Sequence, residues 1–161
     1  MIILGIDPGF GITGYGVIEY RANNFKMLEY GVISTKSTER FTSRLIQISD
    51  KIEELIAKYN PDAVAIEELF FNNNAKTVIA AAQGRGVAVA TCAKHYIPVF
   101  EYTPLQVKQN ITGYGRADKK QIQMMVKMLL KLNEIPKPDD AADALAIAMC
   151  HAHSMMFSKP I

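Results

Sequence analysis

Residues 1–16 read MIILGIDPGFGITGYG, and this stretch decides the fold. The apolar run 1–6 has the length and composition of a buried strand, and it ends at Asp7. Residues 8–11 supply a proline and glycine turn, after which apolar residues return from 13 to 20. We therefore predict a β-hairpin whose first strand ends in a carboxylate.

The rest of the chain continues as alternating strands and helices. Apolar periodicity and turn residues predict further strands at 25–34, 63–67 and 99–102, and helices at 43–59, 75–95, from 103, 118–132 and 139–152. Three strands in a meander followed by alternating helices and strands predict an α/β fold. We expect a mixed five-stranded sheet with helices on both faces.

Composition narrows the class of protein. A length of 161 residues with 49% hydrophobic side chains fits a single domain, 1–161, with a sizeable core. The formal charge of +2 is too close to neutral to indicate a nucleic-acid partner by itself. Cys92 and Cys150 lie far apart and form no CxxC pair, so we expect buried packing residues in a reducing cytosol. We find no secretory leader and no apolar run of membrane-spanning length, and we expect a soluble, cytoplasmic protein.

Four acids border or interrupt apolar segments, where carboxylates are unusual: Asp7, Glu67, Asp140 and Asp143. If the fold brings them together they will repel one another, and no basic residue adjoins them in sequence. Carboxylate oxygens suit hard divalent cations, so a magnesium or manganese site is the expected remedy.

The predicted elements give these acids positions. Asp7 and Glu67 end two strands, and ligands of open α/β sheets usually bind at that edge. Asp140 and Asp143 are three residues apart at the start of a helix, so they share one face. In two-metal nucleases such acids hold two cations about 3.5 to 4 Å apart.

Some acids also have a structural interpretation. Asp139 follows Pro138, and we predict that it caps the helix N-terminus. The helix dipole also explains Asp140, whereas Asp143 lies among alanines, where no cap is needed. Glu68 faces away from Glu67 if the strand continues, and we expect it to be solvated.

Residues 5–16 also resemble the opening of the RuvC family, the bacterial Holliday-junction resolvases. The resemblance continues along nearly the whole chain, at residues 65–70, 83–88, 99–102, 106–109 and 140–148. Their order and spacing make the resemblance specific.

The resemblance implies a ribonuclease H-like fold and a homodimer. It also implies a magnesium-dependent endonuclease, with Mn²⁺ as substitute and two ions per site, that nicks two strands of like polarity symmetrically across a four-way DNA junction. The family's catalytic and metal-binding acids correspond to Asp7, Glu67, Asp140 and Asp143, with Asp139 as an alternative to Asp140. Assembly with RuvA and RuvB is implied as well.

Several basic residues are candidates for a DNA interface. Lys108 and Lys119 match family positions associated with DNA binding and catalysis, and we expect Lys119 to neutralise charge at the scissile phosphate. The loop 113–120 suits phosphate contacts through Arg116 and Lys120, or it is a solvated surface loop.

Two further candidates lie near the predicted dimer helix. Arg85 contacts a DNA phosphate or forms a structural salt bridge. Phe70 matches the family aromatic that stacks on an unpaired base, although Phe usually packs in a core. The small residues of 75–93 allow close helix packing, within one chain or across a dimer seam, and the resemblance favours the seam.

Two rival functions fit parts of the pattern. A strand, an Asp-x-Gly turn and a hairpin also form the phosphate loop of actin-like ATPases, but that class binds ATP between two such domains. A junction-binding scaffold without catalysis would use the acids only for capping or charge. Such a scaffold would not respond to Glu67→Gln.

Overall fold

The computed structural model describes residues 1–69 and 75–161, with no side-chain description for 75–77. Each predicted element is present in the described residues, with ends shifted by a few positions. In chain order the elements are β1 Ile2–Asp7, β2 Ile12–Arg21, β3 Asn24–Ser34, α1 Phe41–Tyr59, β4 Ala63–Glu67, α2 Ala75–Lys94, β5 Val99–Tyr102, α3 Pro104–Thr112, α4 Lys119–Leu129 and α5 Asp139–Ser154.

The five strands form one mixed sheet in the order β3-β2-β1-β4-β5. The first three strands are antiparallel, whereas β4 and β5 run parallel to β1. The connection from β2 to β3 turns through Ala22 and Asn23, whose φ angles of 48° and 61° give the twist that favours tight hairpins. The mixed sheet and the opening hairpin are therefore confirmed.

Side chains of the central strands alternate between two hydrophobic cores. In β1, Ile3 enters the core with α3, α4 and α5, while Leu4 and Ile6 enter the core with α1 and α2. Val64 and Ala65 of β4 divide in the same way. Helices therefore cover both faces of the sheet, as predicted. Cys92 and Cys150 are both free and buried, one in each core.

Three glycines allow α5 to lie directly against the sheet. A Cβ at Gly5 would collide with the Ala144 carbonyl, one at Gly14 with the Asp140 carbonyl, and one at Gly16 with Leu145. The glycine and alanine surfaces thus bring the backbone of α5 unusually close to β1 and β2. This close packing sets the distance between the first turn of α5 and the end of β1.

The prediction that Asp139 caps α5 is wrong. Pro138 occupies the N-cap position, and α5 has no side-chain cap hydrogen bond. Asp139 is already the first helical residue, and its carboxylate turns towards α4, where Gln123 donates a hydrogen bond to it.

Among the described residues, no helix is both long and apolar enough to cross a membrane.

Candidate active site

The structure brings the four predicted acids to one edge of the sheet. Asp7 ends β1 and Glu67 ends β4, and the parallel pairing of Ile6 with Ile66 sets these two ends side by side. Gly14, which pairs with Asp7 across the hairpin, lies against the backbone of Asp140. The first turn of α5 therefore overhangs the two strand ends.

Burial and mutual repulsion shift the protonation of the two strand-end acids. Burial, followed by the charges of Glu67, Asp143 and Asp140, raises the pKa of Asp7 to about 8. Burial and then the charge of Asp143 raise the pKa of Glu67 to about 7, and Asp7 lies within hydrogen-bonding reach of it. These acids therefore interact electrostatically, and nearby positive charge would favour their ionised forms.

Lys119 supplies part of that positive charge. Its Nζ lies 3.0 Å from Oδ2 of Asp143, and its charge lowers the pKa values of Asp7 and Glu67. Burial pulls the pKa of Lys119 down, but hydrogen bonds and charge from Asp143 and Asp139 outweigh it, so the net shift is upward. Burial raises the pKa of Asp143 in spite of the neighbouring ammonium group. The basic neighbour that the linear sequence lacks is thus provided by α4.

A second acid shares Lys119. The same Nζ lies 3.3 Å from Oδ2 of Asp139, whose Oδ1 accepts a hydrogen bond of 3.0 Å from Nε2 of Gln123. The Gln123 hydrogen bond, then Lys119, hold the pKa of Asp139 below its usual range. Gln123 was missed in the sequence. Its only signal was its position four residues after Lys119, on the same helix face.

A cleft of about 230 Å³ opens beside this cluster. Glu67, Asp143, Lys108 and Lys119 contribute its charged side chains. The rest of the lining is mainly apolar: Pro104, Val107, Ile122, Ala146 and Ile147. Such walls limit water on one side of the charged groups, which strengthens electrostatic interactions with a bound phosphate.

The loop between α3 and α4 is held at both ends. Gly113 ends α3 with a left-handed φ of 72°, and Thr112 Oγ1 bridges the Lys108 carbonyl and the Tyr114 amide. Asp118 caps α4 in a reciprocal pair with Gln121. These caps set Lys119 at the first helical position of α4, directed at the acids, while Arg116 and Lys120 are exposed.

The remaining residues that were predicted to contact DNA do not share one environment. Arg85 forms a salt bridge with Glu101, which matches the structural reading of that residue. Lys108 lines the cleft. Phe70 lies outside the described residues.

Arg44, which the sequence did not indicate, holds the turn after Asp7 in place. The Arg44 guanidinium stacks 3.7 Å from the centroid of the Phe10 ring, and its Nε donates a hydrogen bond of 3.0 Å to Thr35 Oγ1. Thr35 in turn donates from its hydroxyl to the Phe10 carbonyl at 2.8 Å. Arg44 gave no sequence signal, because it is an ordinary polar position of an amphipathic helix.

The donor set suits a divalent cation, although the acids are not arranged as a closed chelate. Four carboxylates supply only oxygen ligands, and the raised pKa values of Asp7 and Glu67 show that the cluster favours added positive charge. Within residues 1–69 and 75–161, no three acidic, histidine or cysteine side chains are grouped closely enough to hold an ion. Side-chain rotations would be needed for these carboxylates to converge on one ion, and Asp143 is paired with Lys119 in this structure.

Comparison with known proteins identifies the family. The family described as "Crossover junction endodeoxyribonuclease RuvC" matches residues 3–151. A crossover junction endodeoxyribonuclease RuvC of Alkaliphilus oremlandii is 59% identical over 99% of this chain and 97% of its own length. One from Clostridioides difficile is 53% identical over 100% of this chain and 95% of its own.

Solved structures agree. The structure of T. thermophilus RuvC in complex with Holliday junction substrate superposes with a TM-score of 0.95, at 35% identity over 100% of this chain and 99% of that chain. The ribonuclease H-like fold implied by the opening motif is thus confirmed. With its sequence and its fold in agreement over nearly its whole length, this chain belongs to the RuvC family of crossover junction endodeoxyribonucleases.

Proposed function

We propose that this protein resolves Holliday junctions during recombination and DNA repair, by nicking two strands of like polarity symmetrically across the junction. One observation carries the proposal: in a member of this family, Asp7, Glu67, Asp140 and Asp143 gather at one sheet edge beside Lys119. Phosphodiester hydrolysis needs a base for water and positive charge near the phosphate, and this edge offers both.

Glu67 and Lys119 have different proposed roles, which follow from their positions. Glu67 lines the cleft at the end of β4, where it would bind metal and orient the attacking water. Lys119 reaches into the cleft from α4 and neutralises negative charge that develops on the scissile phosphate. The apolar wall of the cleft excludes bulk water from the reacting groups.

The four acids would hold Mg²⁺, with Mn²⁺ as a substitute and two ions in each site. When bound, these ions supply Lewis-acid polarisation of the phosphate and activation of water. Their positive charge would also offset the repulsion that raises the pKa values of Asp7 and Glu67.

The DNA contacts follow from the surface around the cleft. Four basic residues would bind phosphates of a four-way junction: Lys108 in α3, Arg116 in the loop that follows, and Lys119 and Lys120 in the first turn of α4. Phe70 stacking on a base remains part of this proposal. Arg85 is committed to Glu101, so its contribution to DNA binding would be indirect.

The same proposal extends to assembly and location. Two nicks require two sites, so the working unit is a homodimer of a single nuclease domain, residues 1–161, with α2 at the seam. It acts in the cytoplasm on junctions processed by RuvA and RuvB.

The decisive experiment is cleavage of a labelled synthetic four-way junction in Mg²⁺, compared with linear duplex of the same sequence. Wild type is expected to give paired symmetric nicks that yield ligatable duplexes. Glu67→Gln is expected to bind the junction and not cut it. Glu68→Gln is the matched control, because it removes the adjacent carboxylate, which lies outside the proposed ligand set, and should cut like wild type.

Two outcomes would contradict the proposal. Tight junction binding by wild type without cutting in Mg²⁺ or Mn²⁺ would instead support a binding scaffold. Equal cutting by wild type and Glu67→Gln would remove the carboxylate cluster from the reaction.

A further inference from the structure

Asp139 lies beside the four acids and shares Lys119 with Asp143, and it also accepts a hydrogen bond from Gln123. Both of its carboxylate oxygens are engaged: Oδ1 by Gln123 at 3.0 Å and Oδ2 by Lys119 at 3.3 Å. It caps no helix. A charged side chain 61% exposed to water gains little stability from such a pair, so any effect of the contact lies in where it holds Lys119.

Gln123 makes the orientation of Asp139 specific. Gln123 as a whole is only 9% exposed, so few alternative positions are open to its amide. Gln123 and Lys119 are four residues apart in α4 and lie on one face, and both point at the same carboxylate. The carboxylate is therefore fixed from one side by a buried donor, and it holds the ammonium group on the other side.

Lys119 pairs with two acids, Asp143 and Asp139, which differ in position and exposure. Asp143, at 3.0 Å, belongs to the acid cluster and is 29% exposed, whereas Asp139 lies on the outer side and is more exposed. An acid that serves as a metal ligand cannot at the same time hold an ammonium group with full strength. Without a second anchor, a flexible lysine side chain would leave the cleft when Asp143 turns to its other role.

We propose that Asp139, braced by Gln123, is a positioning residue that keeps the Lys119 ammonium group at the cleft. This inference rests on the proposed nuclease function, in which Lys119 acts on the phosphate. Asp139 itself touches neither substrate nor reacting atoms. It acts through Lys119 alone.

The test is single-turnover junction cleavage at saturating enzyme and Mg²⁺. Asp139→Asn is expected to lower the cleavage rate constant about tenfold through misplacement of Lys119, with junction Kd unchanged within about twofold. Gln123→Ala should move the rate in the same direction, and Asp139→Glu should recover part of it. Glu134→Gln removes an exposed carboxylate from the loop before α5 and should match wild type, which controls for net charge.

A double-variant cycle separates positioning from a general structural effect. Lys119→Ala combined with Asp139→Asn should cleave no more slowly than Lys119→Ala alone, because Asp139 has no role once the amine is gone. Unfolding temperatures of the single variants should stay close to that of wild type. Multiplicative losses in the cycle, or wild-type cleavage by Asp139→Asn, would overturn the inference.

A measurement without metal or DNA makes the inference independent of activity. Because Asp143 also holds Lys119 in the metal-free protein, ¹⁵N-lysine NMR spectra are compared in an Asp143→Asn background. There the Lys119 ammonium signal should be protected while Asp139 is present and lost by exchange when Asp139→Asn is added. Equal signals in both proteins would overturn the proposal. If wild type fails to cleave junctions, the nuclease function fails, and this spectrum still decides whether Asp139 holds Lys119.

Discussion

Asp7 is a carboxylate that burial and neighbouring charges make costly to ionise. Its raised pKa means that the folded chain holds a proton at pH values where the unfolded chain has lost it. The stabilising contribution is complete below the ordinary pKa of 3.8 and disappears as the pH rises through about 8. At and above neutral pH, the site therefore reduces the stability of the fold.

Asp7→Asn is accordingly expected to stabilise the metal-free protein while it abolishes cleavage. We expect a gain of about 2 kcal/mol above pH 8, after allowance for water that reaches the carboxyl, and little change near pH 4. In thermal unfolding this corresponds to roughly 4 to 8 °C. Asp50→Asn, at an exposed position of α1, is the control. A variant less stable than wild type at pH 8.5 would contradict the inferred repulsion.

His151 has the opposite pH dependence. It is 1% exposed, its ring packs 4.3 Å from that of Phe100, and its Nδ1 lies 2.7 Å from Tyr102 Oη. Burial lowers the pKa of His151 to about 4. Because the unfolded chain binds this proton near pH 6.5, the stability present above that value is lost as the pH falls towards 4.

We therefore predict that His151 accounts for part of the acid sensitivity of the fold. Wild type should lose up to about 3 kcal/mol through this group between pH 6.5 and 4, and His151→Gln should show a flatter profile over that range. Urea unfolding at each pH measures the difference. Parallel profiles for wild type and His151→Gln would rule out His151 as the cause.

Among the elements, α5 is the one whose placement makes the site. Its first turn carries Asp140 and Asp143, and the glycines beneath it set the distance to β1 and β2. The helix must lie this low for its acids to reach Asp7 and Glu67. The small residues where α5 meets the sheet therefore serve the position of the acids as well as the packing of the core.

Gly14→Ala should therefore displace the start of α5. The new methyl group would collide with the Asp140 backbone, so we expect about 2 kcal/mol of destabilisation and at least a tenfold loss of cleavage. Gly11→Ala belongs to the same hairpin, but its Cβ would make only ordinary contact with Arg44, so its unfolding temperature should match wild type. Circular dichroism melts compare the two. Equal melts would show that α5 does not depend on this contact.

For the whole molecule, the arrangement of charge matters more than the total. A net charge of +2 hides an acidic cluster beside Lys108 and Lys119, with Arg116 and Lys120 close by in sequence. Different helices also cover the two faces of the sheet. The α5 face builds the cleft, whereas α1 and α2 cover the opposite face.

The proposed dimer predicts a dosage effect. When wild type is mixed and re-equilibrated with an equal amount of Asp7→Asn, about one quarter of dimers keep two active sites by random exchange. At constant total protein, paired nicking should fall to about one quarter of that of wild type alone, while single nicks accumulate. Sedimentation of the mixture checks that the dimers form. A fall of paired nicking only to one half, without accumulation of single nicks, would indicate independent monomers.

Local pattern was enough to predict most of the architecture. Strand and helix positions follow from apolar periodicity and turn residues, and the mixed sheet follows from their order. Asp7 and Glu67 were placed correctly because the end of a strand is a local feature. The motifs of residues 5–16 and 140–148 also indicated the family.

Only the tertiary structure decided which charges meet. Lys119 and Gln123 come from α4, Asp139 and Asp143 from α5, and no local rule predicts their side-chain contacts. The same is true of Arg85 with Glu101 and of Arg44 with Phe10. Sequence determined the elements and the carboxylates because backbone preference and burial act over a few neighbouring residues. Their pKa values, their lysine partner and the role of Asp139 depend on distances across helices, which only the packed fold sets.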